Sequence, residues 1–116
     1  MAKTNEAFFW SLFSAGGVAA ALFIPAIIVS LGFLLPTDDP AIAAERYDQI
    51  RAVVGHPITK IVLLGMIFLS FFHCAHRIQH TGKDVGLRAI GGLLAAACYL
   101  GALAGSAIAA VILWRI

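Results

Sequence analysis

Three long apolar runs dominate the pattern of hydrophobic and polar positions. No Lys, Arg, Asp, Glu or His occurs in residues 7–37 or in residues 89–114, and each run exceeds the roughly 20 residues that cross about 30 Å of hydrocarbon. The third run is shorter, since only residues 61–72 are uncharged. Extending it from Pro57 to His76 gives 20 residues, which also cross at about 1.5 Å per residue of helix. The pattern therefore predicts an all-α integral membrane protein with three transmembrane helices, at about 8–35, 57–76 and 89–114.

The polar segment between the first two runs predicts a short helix at the membrane surface. Asp39 is suited to cap its N-terminus, Pro40 to its first turn, and Gly55 to its C-terminal end. One face of the segment is apolar, through Ala43, Tyr47, Ile50 and Val54. We therefore expect an interfacial helix at about 40–54 that connects two spans rather than contacting a substrate.

The composition agrees with a membrane protein and excludes several other classes. Of the 116 residues, 61% are hydrophobic and 12% are charged, which is too little polar surface for a soluble domain of this size. The net charge of +2 includes no basic block of the kind that binds nucleic acid. Cys74 and Cys98 lie in different spans, at no metal-ligand or redox spacing. We expect residues 1–116 to form a single membrane domain.

The charges give limited information on the orientation of this domain. Three spans place the N-terminus and the loop at about 81–88 on one side, and the interfacial helix and the C-terminus on the other. The eight Lys and Arg residues divide equally between the two sides. The number of basic residues on each side therefore does not determine the orientation by the positive-inside rule. The density of basic residues near the second loop favours a cytoplasmic N-terminus and a C-terminus on the opposite side.

The third span carries a strip of small residues suited to helix packing. The strip repeats every four residues and includes a GxxxG step, through Ala97, Gly101, Gly105 and Ala109. Small side chains let two helices approach closely in a membrane. We expect this strip to pack against another helix, either of this chain or of a partner.

The end of the second span holds the candidate site chemistry. Its polar residues share a helical arc of about 100°: His73, His76, Arg77 and His80. Because successive helices alternate in direction, this cluster lies at the same depth as Trp10 near the start of the first helix. Aromatic residues at that depth, with Phe13 and Phe72 among them, would wall the site.

These residue types suit a quinone. Its flat ring packs on aromatic surfaces, its carbonyl oxygens accept hydrogen bonds, and its reduction takes up protons that histidine can pass near neutral pH. Arg77 could also stabilise negative charge in a medium of low dielectric constant. We therefore predict that Trp10, His76 and Arg77 bind a quinone. We place four further residues in a second tier, Phe13, Phe72, His73 and His80.

Other interpretations of the same residues remain open. Trp10 could be an interfacial anchor and Arg77 could extend towards lipid headgroups, while His73 could serve only the fold. A haem would need a histidine from another chain, because the first and third spans have none. A metal held by His76 and His80 would lack a further carboxylate or cysteine ligand. We expect neither haem nor metal.

Several segments together resemble a known family. Residues 6–17 read EAFFWSLFSAGG, a proline follows at Pro25, the first span ends in Leu35 and Pro36, and the cluster reads HRIQH over residues 76–80. In these features the chain resembles the smaller hydrophobic membrane anchor, the D subunit, of bacterial quinol:fumarate reductase. The resemblance covers essentially the whole chain, although His73 has no recognised counterpart and residues 81–84 contain fewer histidines than expected.

The resemblance implies a four-subunit complex in the bacterial inner membrane. A flavoprotein and an iron-sulfur protein, which hold FAD and the iron-sulfur clusters, would dock on the cytoplasmic face of two three-helix anchors, the C and D subunits. Menaquinol would be oxidised near that face, and its electrons would reduce fumarate. By this resemblance Trp10, His76 and Arg77 correspond to the anchor's residues near the quinone, the C subunit would supply a carboxylate, and no haem is expected. The alternatives are an anchor of a haem b succinate dehydrogenase and a structural membrane subunit without a ligand.

Overall fold

The computed structural model describes the backbone of residues 2–116 and the side chains of residues 5–116. Its four α-helices are α1 (Ala2–Val29), α2 (Pro40–Gly55), α3 (Pro57–Asp84) and α4 (Gly91–Arg115). A π-helical turn, Ser30–Leu34, continues α1, and a 3₁₀ turn, Leu87–Ile90, leads into α4. The described residues contain no β-strand, and the predicted all-α class is confirmed.

Three helical segments are long and apolar enough to cross a membrane within the described residues: Asn5–Leu34, Pro57–Asp84 and Leu87–Arg115. The three predicted spans are therefore confirmed. The first helix begins earlier than predicted, at Ala2, because residues 2–7 contain neither Gly nor Pro to interrupt it.

The predicted end of the second helix, at residue 76, is too early. Helix α3 continues to Asp84 because its last turns pack on α4: Gln79 is 6% exposed, and Gly82 lies against Leu94. The predicted loop at 81–88 is correspondingly shorter. The chain reverses at Gly86, whose φ of 107° is the left-handed conformation that glycine adopts most readily.

The surface helix forms as its sequence predicts. The Asp39 carboxylate accepts a hydrogen bond of 2.9 Å from the Ala41 N–H and so caps α2, with Pro40 in the first turn and Gly55 as the last residue. Arg46 donates a 2.7 Å hydrogen bond to the carbonyl oxygen of Leu35. This bond ties α2 to the end of the first span, where helix carbonyls lack intrahelical partners.

Helix α3 lies in the centre and packs against α1 on one side and α4 on another. Its contact with α4 uses small or polar buried residues, with Ala75 on α3 and Ala102 and Ser106 on α4. Most large apolar side chains face outwards. In a membrane those side chains meet lipid or other subunits, and small residues permit close helix packing.

The strip of small residues on α4 divides between two environments. A Cβ atom at Gly105 would lie 2.8 Å from the Phe71 ring, so this half of the strip packs on α3. A Cβ at Gly101 would meet no atom within 4 Å of the described chain, and Ala97 is exposed, whereas Ala109 is half-buried. The N-terminal half of the strip is therefore free for another surface.

Candidate functional site

A cavity of about 560 Å³ lies between α1 and α3, with one side chain contributed by α4. Its size falls within the range of about 300–1,000 Å³ that is common for small-molecule sites. The lining is mainly aromatic and aliphatic, with few polar groups: Glu6, Phe9, Trp10, Leu12, Phe13, Phe68, Leu69, Phe72, His73, His76 and Tyr99. The cavity thus takes in five of the seven residues singled out from the sequence.

Two glycines allow α1 to approach α3 closely beside this cavity. Gly16 is buried, and a Cβ atom there would lie 3.0 Å from the Cβ of His73 and 3.1 Å from the carbonyl carbon of Leu69. A Cβ at Gly17 would lie 2.7 Å from Cε1 of the His73 ring. The approach therefore depends on the absence of side chains, and it sets the separation of the cavity walls.

Trp10 and His76 lie beside each other, at the depth inferred from the alternating helix directions. Their ring centroids are 6.0 Å apart at an interplanar angle of 78°. Phe13 contacts both, with centroid distances of 5.7 Å to Trp10 and 4.7 Å to His76. An indole and an imidazole, which can both donate hydrogen bonds, thus share one aromatic wall.

His73 links α3 to α1 as well as lining the cavity. Its Nδ1 lies 2.9 Å from the carbonyl oxygen of Phe13, and because a carbonyl oxygen can only accept, the Nδ1–H donates. The imidazole also stacks on the Phe13 ring, at 4.3 Å and 18°. These contacts give His73 a structural role, which was one of the interpretations left open by the sequence.

His76 has a polar partner that the sequence did not reveal. Its Nδ1 lies 2.9 Å from the hydroxyl oxygen of Tyr99 on α4, and both residues are half-buried. The Tyr99 ring lies 6.0 Å from that of Phe72. The only available signal was that Tyr99 is the one tyrosine within the three apolar runs.

Arg77 and His80 do not line the cavity in the described part of the chain. Both are exposed, and Arg77 lies about 100° around the helix from His76. His80 stays close to the site, with its ring 4.4 Å from that of His76. Glu6, one helical turn before Trp10, is an acidic residue that lines the cavity and that the sequence did not single out. No group of three potential metal ligands converges among the described residues.

Comparison with known proteins gives a consistent assignment. Residues 1–114 match the family model that describes the D subunit of fumarate reductase. A fumarate reductase D subunit from Mycobacterium tuberculosis (strain ATCC 25618 / H37Rv) is 37% identical over 109 residues, which are 92% of this chain and 85% of the relative. Another, from Shewanella sp. (strain W3-18-1), is 33% identical over 100 residues, 86% of this chain and 82% of the relative. No solved structure matches the chain. The chain is therefore a membrane protein that belongs to the family of fumarate reductase D subunits.

Proposed function

We propose that this chain is a membrane-anchor subunit of a fumarate reductase complex and contributes to the site at which menaquinol is oxidised. It tethers the flavoprotein and iron-sulfur subunits to the bacterial inner membrane, together with a C-type anchor subunit. Family membership supports the role in the complex. The observation that carries the quinol site is the pairing of Trp10 with His76 at an aromatic cavity between α1 and α3.

The cavity fits the chemistry of a quinol head group. Phe13, Phe72 and Trp10 offer ring surfaces for a flat aromatic ring. The Trp10 indole N–H and the His76 imidazole offer hydrogen bonds to its oxygens. Quinol oxidation releases two electrons and two protons, and this chain provides groups for the protons. The electrons pass to the iron-sulfur clusters of a partner protein and then to FAD, so this chain has no turnover alone.

Arg77 contributes to the proposed site from outside the cavity that the described residues of this chain line. Arg77 is exposed and follows His76 in sequence, and we propose that a neighbouring subunit of the complex covers it. A fixed cation there stabilises negative charge on a quinol oxygen once water is excluded. The role of Arg77 therefore depends on assembly, unlike that of Trp10.

The same proposal orients the chain in the membrane. The end of α3 and the start of α1 lie on the cytoplasmic side, where the iron-sulfur protein docks and receives electrons over a short distance. The N-terminus is then cytoplasmic and the C-terminus periplasmic. The basic residues at the α3–α4 turn, Lys83 and Arg88, agree with this orientation.

Three substitutions in the assembled complex test the quinol site. We expect His76→Ala, Trp10→Phe and Arg77→Ala each to lower quinol oxidation, by roughly 100-fold where a proton acceptor or a charge-stabilising group is lost. Fumarate reduction from an artificial soluble donor should persist, because that donor bypasses the quinol site. Matched controls are Trp114→Phe and Arg115→Ala at the far end of α4, which should retain the quinol turnover of the unmodified complex.

The outcome also separates the alternative functions. If all three variants assemble and oxidise quinol normally, the chain is a structural subunit without a ligand and the proposed site is wrong. A reduced-minus-oxidised spectrum of the purified complex tests the other alternative. A b-type haem band that depends on His76 or His73 would instead indicate an anchor of a haem-containing succinate dehydrogenase.

A further inference from the structure

We infer that Tyr99 is a positioning residue for His76, holding the imidazole so that its Nε2 atom serves the bound quinol. The inference rests on the proposed function and extends it to α4, a helix in which the sequence indicated only packing residues. Its basis is the 2.9 Å contact between the Tyr99 hydroxyl and Nδ1 of His76, at a cavity that both residues line.

Within the described residues, the contact leaves Nε2 of His76 without a hydrogen-bond partner. Nδ1 is engaged by Tyr99, so Nε2 is the atom available to a ligand in the cavity. The imidazole is also enclosed by other rings, with centroids at 4.4 Å for His80, 4.7 Å for Phe13 and 6.0 Å for Trp10. Neighbouring rings restrict rotation of the imidazole, and the hydroxyl selects the orientation among those that remain.

The hydroxyl suits this role because it can both donate and accept a hydrogen bond. When Tyr99 donates to Nδ1, the proton of a neutral imidazole is on Nε2, which can donate to a carbonyl oxygen of the quinone. When Nδ1–H donates to Tyr99, Nε2 carries a lone pair and can accept the proton of a quinol hydroxyl. The same hydrogen bond therefore serves both oxidation states without rotation of the ring.

In the proposed oxidation of quinol, the protons and the electrons leave by separate routes. One of the two quinol O–H bonds breaks and an N–H bond forms at Nε2, which leaves the imidazole protonated on both nitrogens, with Nδ1–H donating to Tyr99. The proton of the second quinol hydroxyl goes to the carboxylate that the proposed C-type subunit supplies. The electrons leave for the iron-sulfur protein. Tyr99 stays neutral throughout, and its contribution is the orientation of His76 rather than a bond to the substrate.

The packing of α4 accounts for the placement of Tyr99. It lies three residues before Ala102 and seven before Ser106, both buried, so all three share the helix face that meets α3. The close approach of Gly105 to Phe71 brings α4 near α3. In this water-poor interface a hydrogen bond is stronger than in water, and losing it has a larger effect.

Tyr99→Phe in the complete complex tests the inference, since it removes the hydroxyl and keeps the ring against Phe72. We expect the kcat for quinol oxidation to fall about tenfold, the equivalent of one partly buried hydrogen bond, with little change in KM. Fumarate reduction from the artificial donor should be unchanged, which shows that the partner subunits are active, and co-purification of this chain with them establishes assembly. Tyr47→Phe on the exposed surface helix α2 is the matched control and should behave as the unmodified complex.

A double-mutant cycle gives a result that a merely structural role would not produce. If Tyr99 acts through His76, adding Tyr99→Phe to His76→Ala causes no further loss. A full additional loss, a change in KM alone, or unchanged kcat in Tyr99→Phe would overturn the inference. Normal quinol turnover in His76→Ala, Trp10→Phe and Arg77→Ala alike would overturn the proposed quinol site itself, whereas a defect in His76→Ala without one in Tyr99→Phe removes only the role of Tyr99.

Discussion

Gly16→Ala is expected to disrupt the candidate site by separating α1 from α3. The added methyl carbon would overlap the carbonyl oxygen of Leu69, its nearest atom, and would lie 3.0 Å from the Cβ of His73 and 3.1 Å from the carbonyl carbon of Leu69. Carbon atoms in good contact are about 3.5–4.0 Å apart. Neither neighbour can rotate away, because one is backbone and the other is attached directly to it. The helices must therefore move apart by roughly 0.5–1 Å.

This displacement reaches the site because Gly16 lies less than two helical turns from Trp10. A misplacement of about 1 Å can lower turnover roughly 100-fold, and overpacking of this kind costs about 1–3 kcal/mol of stability. The assay is kcat/KM for quinol oxidation by the purified complex, beside artificial-donor activity. We expect a loss of about 10- to 100-fold in the first and none in the second.

Two further glycine variants calibrate the effect of Gly16→Ala. At Gly65 on α3 an added Cβ meets no atom within 4 Å of the described chain, so Gly65→Ala should leave quinol oxidation intact. Gly17→Ala should have an intermediate effect, because the atom it would meet belongs to the His73 imidazole, which can shift. If Gly16→Ala assembles and oxidises quinol as well as Gly65→Ala, the close approach of α1 and α3 does not set the geometry of the site.

Three other substitutions test how the helices are connected. Gly86→Ala forces alanine to a φ of 107° and should lower the unfolding free energy by about 1–2 kcal/mol, seen as a lower thermal midpoint. The control is Gly92→Ala, where an added Cβ meets no atom within 4 Å of the described chain, and equal midpoints in the two variants would contradict the prediction. Asp39→Ala should destabilise α2 by about 1 kcal/mol, measured as faster hydrogen exchange at its first turn, whereas Asp39→Asn keeps a capping side chain and should exchange normally. Arg46→Met removes the donor to the Leu35 carbonyl and should destabilise the junction between the first span and α2 by about 1 kcal/mol. Equal rates of proteolysis at this junction in the variant and the parent would argue against a stabilising role for the bond.

The spans and the surface helix could be predicted because their signals are local. An uncharged run longer than about 20 residues has few alternatives to a membrane helix, and the side chain of Asp39 caps a helix through atoms two residues away. The proximity of Trp10 to His76 also followed from sequence, since alternating helices fix which ends share a depth. The depth of a residue in the membrane and the capping of a helix can both be predicted without knowing how each helix is rotated about its axis.

The rotation of α4 could not be predicted, and Tyr99 was missed for that reason. This helix is apolar around its whole circumference, so hydrophobicity does not identify the face that meets α3. That face is chosen by contacts such as Gly105 with Phe71, which depend on both helices together. The extension of α3 to Asp84 has the same origin, because the burial of Gln79 and the contact of Gly82 with Leu94 on α4 are not visible in the sequence of α3 alone.

The measurement that most directly tests the quinol site is photoaffinity labelling of the intact complex with an azido-naphthoquinone, followed by mass spectrometry of the labelled peptides. The proposed cavity predicts label on the peptides that contain Trp10 and His76, with some on the peptide that contains Tyr99, and competition by unmodified menaquinone. The label should fall in His76→Ala at constant assembly. Competed labelling confined to other subunits, or to parts of this chain away from the cavity, would contradict the proposal that α1 and α3 form a quinol site.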